Sequence, residues 1–289
     1  MDRAHEVRKV LMITLFLNLL VSGTKILYGY YSGSVAIVSD GYHSLFDGVS
    51  NVMGLIAVRI SSHPPDSKHP YGHRKYETVF TIFIGVLMLL TCFEIFRDVY
   101  RSLEGNKTAG IGAASFAVMT GTMAVNIFVA FYERALGRKL DSEFLIADAG
   151  HTMSDIYVTV GVIISLVFMK LGFPVADPIA GIVVGLLVAR AGIMIIMEST
   201  EVLVDRTQTD HSAIREIAAG VSGVMECHEI RTRGQKSSVF IDLHVLVDPS
   251  LSVGEAHRIA HEVEGNIKRN VPEIVDVVVH VEPSSHEKE

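Results

Sequence analysis

Six long apolar runs occupy the first seven-tenths of this 289-residue chain, at residues 10–31, 35–60, 76–100, 111–131, about 142–171 and 177–204. A run of roughly 20 apolar residues matches the thickness of a bilayer's hydrocarbon core. A lipid-facing segment must also satisfy its backbone hydrogen bonds within itself, so each run is expected to be a helix. Short polar or Gly/Pro-containing stretches separate them: Gly33, the segment 63–75, the turn at 105–107, and Gly172-Phe173-Pro174. No small-residue cleavage site follows the first run, which is therefore read as a retained span and not a leader.

Ionisable residues inside such runs cost roughly 2.5–3.5 kcal/mol each on insertion scales, yet two runs carry the same set. Asp40, His43 and Asp47 in the second run repeat as Asp148, His151 and Asp155 in the fifth, in the pattern D-x-x-H-x-x-x-D. Positions i, i+3 and i+7 share one helix face. Each helix thus presents two carboxylates and an imidazole to one side, and a divalent cation held between the two helices would offset their burial. His43, Asp47, His151 and Asp155 form a two-imidazole, two-carboxylate set suited to tetrahedral zinc. Asp40 and Asp148 are placed behind the ligands or in the vestibule. Ligands must be deprotonated to hold metal and imidazole titrates near neutrality, so proton entry would favour release.

Two further groups have metal-ligand chemistry. Asp66, His69 and His73 fall within eight residues of the polar segment between runs two and three. Beyond the sixth run, residues 205–289 hold seven of the thirteen histidines and fifteen acids against nine Lys and Arg, so six of the net seven negative charges lie there. An acidic tail argues for cations and against nucleic acid. The tail reads as αββαβ: a helix at 210–219 capped by Asp210, strands at 229–233 and 239–247, the latter alternating as Val239, Ile241, Leu243, Val245 and Val247, a helix from Ser252 with Glu255 completing a capping box, and a last strand at 274–281. The fold class is thus a membrane α-helical domain of six spans, residues 1–204, followed by a small α/β domain, residues 205–289. His211, His261 and His286 are read as surface histidines, Cys92 and Cys227 as unpaired thiols, and Gly181, Gly185 and Gly192 as a helix-packing face.

Segments on the N-terminal side of the bilayer carry ten Lys and Arg against four on the other. The positive-inside rule then places both termini in the cytoplasm, in a plasma (inner) membrane. An intramembrane hydrolase is disfavoured, because no additional Glu stands beside either motif as a general base and four protein ligands leave no open metal position.

His43-Ser-Leu-Phe-Asp47, His151-Thr-Met-Ser-Asp155, the Asp66 to His73 segment followed by Lys75 and Glu77, and the histidine-bearing tail together resemble the cation diffusion facilitator family, within it the bacterial zinc/proton antiporters. The resemblance implies a homodimer with a cytoplasmic domain similar to a copper metallochaperone, exchanging divalent metal for protons. It implies an intramembrane site of His43, Asp47, His151 and Asp155, a loop site of Asp66, His69 and His73, and a cytoplasmic cluster of His228, His244, His257 and His280 with Glu282. It also implies an ion pair of Lys75 with Asp205. Some members have Asp or Tyr where His43 stands, and histidine at both helix positions leans toward zinc over cadmium or manganese. At Glu282 the family often has Asp. The expectation is a Zn²⁺/H⁺ antiporter exporting metal. The alternatives are the same fold carrying Fe²⁺, Mn²⁺, Co²⁺ or Cd²⁺, or a transport-dead metal sensor or scaffold.

Overall fold

The structure is a computed structural model that describes residues 3–32, 35–103, 113–170, 176–207 and 209–284. The turns expected at 105–107 and 172–174 lie outside the described residues. The chain divides into two compact units, Met1–Thr200 and Glu201–Glu289.

The first unit contains six helices: α1 (Arg3–Ser32), α2 (Val35–Ser61), α3 (Lys75–Leu103), α4 (Ala113–Lys139), α5 (Glu143–Lys170) and α6 (Ala176–Leu203). Each has 27 to 30 residues, which at 1.5 Å per residue gives roughly 40–45 Å, more than a hydrocarbon core requires. Among the described residues, Arg3–Tyr31, Lys75–Arg97 and Pro178–Leu203 are also apolar enough by composition to cross a membrane. The outward faces are apolar: Phe16, Leu27, Phe93, Phe131, Leu186 and Met197 are all exposed. Polar residues go inward, as Thr14, Asn51, Glu133 and Asp148 do. This inversion of the soluble pattern is what a lipid solvent demands.

Two packing devices fix the helices. Val7, Leu11, Ala57, Ile84, Phe144 and Leu145 form a buried cluster among α1, α2, α3 and α5, and a Cβ on Gly54 would collide with the Phe144 ring, so α2 seats directly on α5. Between α3 and α6, a Cβ on Gly85 or on Gly192 would come 3.0 Å from the other's carbonyl oxygen. The absence of side chains here brings the backbones together, and Met88, Cys92, Val184 and Val188 continue the contact; the glycine face read from α6 is thus a helix-packing face.

At the end of the bundle where α1 begins, Arg3 Nε donates to Leu140 O (2.7 Å) and Arg3 Nη2 to Asp141 O (2.9 Å) and the Glu77 carboxylate (3.0 Å to Oε2). Ser142 Oγ, which also accepts from Leu145 N, donates to Glu77 Oε1 at 2.6 Å. The start of α1, the start of α3 and the α4–α5 turn therefore meet at one end.

The second unit runs α7 (His211–Ala219), β1 (Glu226–Gln235), β2 (Ser238–Val247), α8 (Val253–Asn270) and β3 (Ile274–Pro283), the expected αββαβ order. The caps are those read from sequence: Asp210 accepts from Ser212 N, and Ser252 with Glu255 closes a capping box. β2 is central, antiparallel to β1 and parallel to β3 across the α8 crossover. Its alternate residues Val239, Ile241, Leu243, Val245 and Val247 are buried and belong to one core with Ile214 and Ala218 of α7 and Val263 and Ile267 of α8. The intervening residues of β2 face away from that core.

Candidate metal centres

In the first unit, α2 supplies one copy of the repeated motif and α5 the other, and the two helices pack together. The side chains of Asp40, His43 and Asp47 lie outside the described residues. On α5, Asp148 is 1% exposed and His151 5%, while Asp155 is half-buried. The α5 copy of the motif therefore places ionisable groups inside the bundle.

Around Asp148 the structure adds a polar hub. Asn51, one turn past Asp47 on α2, donates through Nδ2 to Asp148 Oδ2 (2.8 Å), Thr14 Oγ1 (3.2 Å) and Glu133 Oε1 (3.4 Å). Asn18 Nδ2 donates to Asn51 Oδ1 at 2.8 Å, which fixes the amide so that its donors face the carboxylates. Asn51, Glu133 and Thr14 have no solvent exposure, and Glu133 Oε2 is a buried atom without a hydrogen-bond partner. Four helices thus converge on one amide. Close by, Lys25 Nζ donates to Ser44 Oγ (2.9 Å) and Ser22 Oγ to Gly41 O (3.0 Å), so α1 lies directly against the first motif. Asn51 and Glu133 were not singled out in the sequence as site residues. Asn51 carries a signal, its position one turn after Asp47; Glu133 reads as an ordinary charge near a helix end.

The loop group is assembled locally. Asp66 Oδ1 accepts from the backbone N–H of Lys68 (2.8 Å) and His69 (2.7 Å), an Asx turn. Gly72, at φ 82°, turns the chain again and donates to His69 O. These turns bring His69 Nδ1 to 3.3 Å and His73 Nε2 to 3.4 Å from the Asp66 carboxylate, with all three ligand atoms within 4.8 Å of one another. The Tyr76 ring stacks on His73, whose Nδ1 is buried without a hydrogen bond. The two backbone N–H donors, that of His69 foremost, hold the Asp66 carboxyl below its ordinary pKa, so it is ionised and available to a cation. One carboxylate and two imidazoles at this spacing fit a divalent transition metal.

The tail group is assembled across strands. His228 on β1 registers with His244 on β2, and His244 with His280 on β3, so three imidazoles form a row across the sheet face opposite α7 and α8. Glu282, two residues along β3, lies 2.7 Å from His244 Nδ1, 3.4 Å from His228 Nε2 and 3.6 Å from His280 Nε2. His228, His244 and Glu282 bring their ligand atoms within 4.8 Å. The hydrogen bond from His244, followed by the charges of His244, His228 and His280, lowers the Glu282 pKa. A β-bulge between His228 and Arg231 puts Glu229 at φ 48° and its Oε2 3.7 Å from His244 Nε2. Strand alternation gives no sign of that carboxylate, because the bulge breaks the period.

His257 is not part of this row. It lies on α8, in the layer on the other side of the sheet, where its ring meets His261. Lys75 is the first residue of α3, and Asp205 sits in the turn after α6 at φ 60°.

Comparison with known proteins covers both units. Residues 11–204 match the family model for the cation efflux transmembrane domain and residues 207–284 that for the cation efflux protein cytoplasmic domain. An uncharacterised transporter of Methanocaldococcus jannaschii is 32% identical over 96% of this chain and 99% of its own length. The manganese efflux system protein MneS of Bacillus subtilis is 29% identical over 98% and 99%, and the cation-efflux pump FieF of Serratia proteamaculans 27% identical over 90% and 87%. A solved MamM-CTD chain is 27% identical over 26% of this chain and 92% of its own, with a TM-score of 0.25.

Proposed function

The chain belongs to the cation efflux family and is a divalent metal cation efflux transporter, and from that premise we propose that it exports Zn²⁺ from the cytoplasm in exchange for protons. The observation that carries the reading is the repeat of D-x-x-H-x-x-x-D on α2 and α5, two helices that pack together with Asp148 and His151 buried. His43, Asp47, His151 and Asp155 would be the transport ligands. Two imidazoles favour a borderline cation such as Zn²⁺ over the harder Mn²⁺. The two carboxylates balance the dication, and a proton arriving at either imidazole competes with metal for the same lone pair. Asp40 would stand in the vestibule, and Asp148, held by Asn51, behind the ligands.

The meeting of the chain's first helix, the start of α3 and the α4–α5 turn at one end supports a common, basic cytoplasmic side in a plasma membrane. The tail lies on that side in this reading, where Asp66, His69 and His73 and the row His228, His244, His280 and Glu282 bind metal and regulate, in a homodimer.

A second reading has a specific support: relatives of nearly equal length, MneS among them, are manganese efflux proteins by name. One experiment separates the two. Proteoliposomes containing the protein are given Zn²⁺, Mn²⁺, Fe²⁺, Co²⁺ or Cd²⁺ with and without a proton gradient, with internal pH followed alongside. Zinc movement coupled to opposing proton flux, lost in Asp47→Ala and Asp155→Ala, is the expected result. Transport of manganese alone would keep the site and overturn the metal; wild-type zinc rates in both variants would overturn the site.

A further inference from the structure

Glu133 on α4 is fully buried, and no step of the transport reading uses it. Its Oε1 lies 3.4 Å from Asn51 Nδ2, and its Oε2 has no hydrogen-bond partner. The same nitrogen lies 2.8 Å from Asp148 Oδ2 and 3.2 Å from Thr14 Oγ1. A side-chain amide carries two N–H hydrogens, so three oxygens compete for two donors. The amide cannot turn to relieve this, because Asn18 holds its Oδ1. Bonds to ionised acceptors are the shorter ones, and the distances therefore mark Asp148 as the carboxylate and Glu133 as the group left short of a hydrogen. Thr14 directs its hydroxyl toward Val10 O and Leu11 O (3.2 and 3.3 Å) and also faces Glu133. The charges acting on Glu133 both come from α5: Asp148, of like sign, and His151, of opposite sign only when protonated. From α1 and α2 it meets the neutral Thr14 and Asn51. A second negative charge here would stand beside the first, out of water, with one oxygen bare. Carboxylates so placed take up a proton.

We propose that Glu133 is a proton-binding site inside the bundle, a neutral carboxylic acid that supplies the missing hydrogen of the Asn51 hub and gives up its proton when a divalent cation binds on the neighbouring turn of α5. The expulsion is electrostatic. Residues three apart on a helix have Cβ atoms roughly 5–6 Å apart, so a dication held by His151 and Asp155 stands close to Asp148 and the hub. Its field favours the Glu133 carboxylate over the acid. The O–H bond breaks, the electron pair stays on the oxygen, and the proton passes to water. One proton then leaves Glu133 for each metal bound, in addition to any that the ligands themselves release. This coupling rests on His151 and Asp155 being transport ligands, as proposed above; the proton on the metal-free protein does not.

The test uses the full chain in detergent, free of metal at neutral pH, with Zn²⁺ as the probe. Infrared difference spectra report a protonated carboxylic acid through a carbonyl stretch that shifts in D₂O. Calorimetry in two buffers of different ionisation enthalpy counts the protons released as Zn²⁺ is added. The wild-type chain is expected to show the acid band and to lose it on zinc binding, and Glu133→Gln to lack the band. At saturation the wild type should release one proton more per chain than Glu133→Gln. Because glutamine reproduces the neutral form, that variant should melt no lower than the wild type. A band that persists in Glu133→Gln or in the presence of zinc, or equal proton counts in the two chains, would overturn the site. So would a wild type that shows no acid band and is instead stabilised by Na⁺, since the hub would then hold a monovalent metal cation. Should Glu133→Gln fail to fold, the zinc-dependent loss of the wild-type band decides alone. The export reading fails differently: proteoliposomes that move no zinc would overturn it and leave the acid band, and its absence from Glu133→Gln, in place.

Discussion

Both units of this chain bury apolar side chains, but only the helical unit also leaves polar side chains with no exposure at all. In the helical unit the side chains with no exposure include Thr14, Asn51 and Glu133, while Phe16, Phe93 and Phe131 face outward. In the tail the fully buried positions are apolar, Ile241, Leu243 and Ile267 among them, and the imidazoles lie on the uncovered sheet face. The lesson is one of solvent. Apolar surface costs nothing against lipid, so the helical unit can spend its interior on polar groups; the tail must spend its interior on packing and keep its polar chemistry outside.

That contrast can be broken by experiment, and the largest effect on transport belongs to the helical unit. Asn51→Leu removes the donor that serves Asp148, Glu133 and Thr14 together. A buried carboxylate stripped of a donor costs about 1–3 kcal/mol or more, so thermal stability in detergent should fall and transport should drop at least about ten-fold, a factor worth 1.4 kcal/mol. Retention of wild-type transport would mean that the hub is incidental. Next, Leu243→Ala in the tail should cost about 2–5 kcal/mol of tail stability through lost burial and a cavity, measured as denaturant midpoint, with the helical unit's melting unaffected. A smaller effect is expected from His244→Ala. Tail metal affinity should fall about ten-fold or more, while metal-free stability shifts by under roughly 0.5 kcal/mol, as for most surface changes. A large loss of metal-free stability would erase the distinction between interior and surface.

The smallest is a pH effect. The Glu282 pKa is lowered in the fold, chiefly by the hydrogen bond from His244. The stability this gives is full above the ordinary glutamate value of roughly 4.3 and is lost as pH falls through the lower folded value. Glu282→Gln should therefore flatten the metal-free tail's acid-stability curve below that pH and leave the curve near neutrality little changed. An unchanged acid limb in the variant would remove Glu282 from the linkage.

Much of this was legible without coordinates, and for local reasons. Helix-length apolar runs, the Asp210 and Ser252 caps, the alternation of β2 and the eight-residue spacing of Asp66, His69 and His73 all depend on neighbours in sequence. The failures are non-local. Which layer of the tail His257 occupies depends on how α8 crosses over the sheet, and its periodicity shows only that it shares a helix face with His261. Glu229 reaches His244 through a bulge that alternation cannot register. Glu133 and Asn51 are 82 residues apart, joined only because α2, α4 and α5 converge. Composition announces that such buried polar groups need partners but not which ones.

The histidine row has one more implication. His228 and His280 sit on the two outer strands of a three-stranded sheet, with His244 between them. An ion seated there would clasp both margins of the sheet at once, without touching the apolar layer beneath. Amide hydrogens along β1 and β3, the first to open in so small a sheet, should then exchange with solvent more slowly when metal is present, by similar factors on the two sides. The cation would serve as a rivet through the fabric, and the tail's rigidity would become a readout of the metal concentration around it.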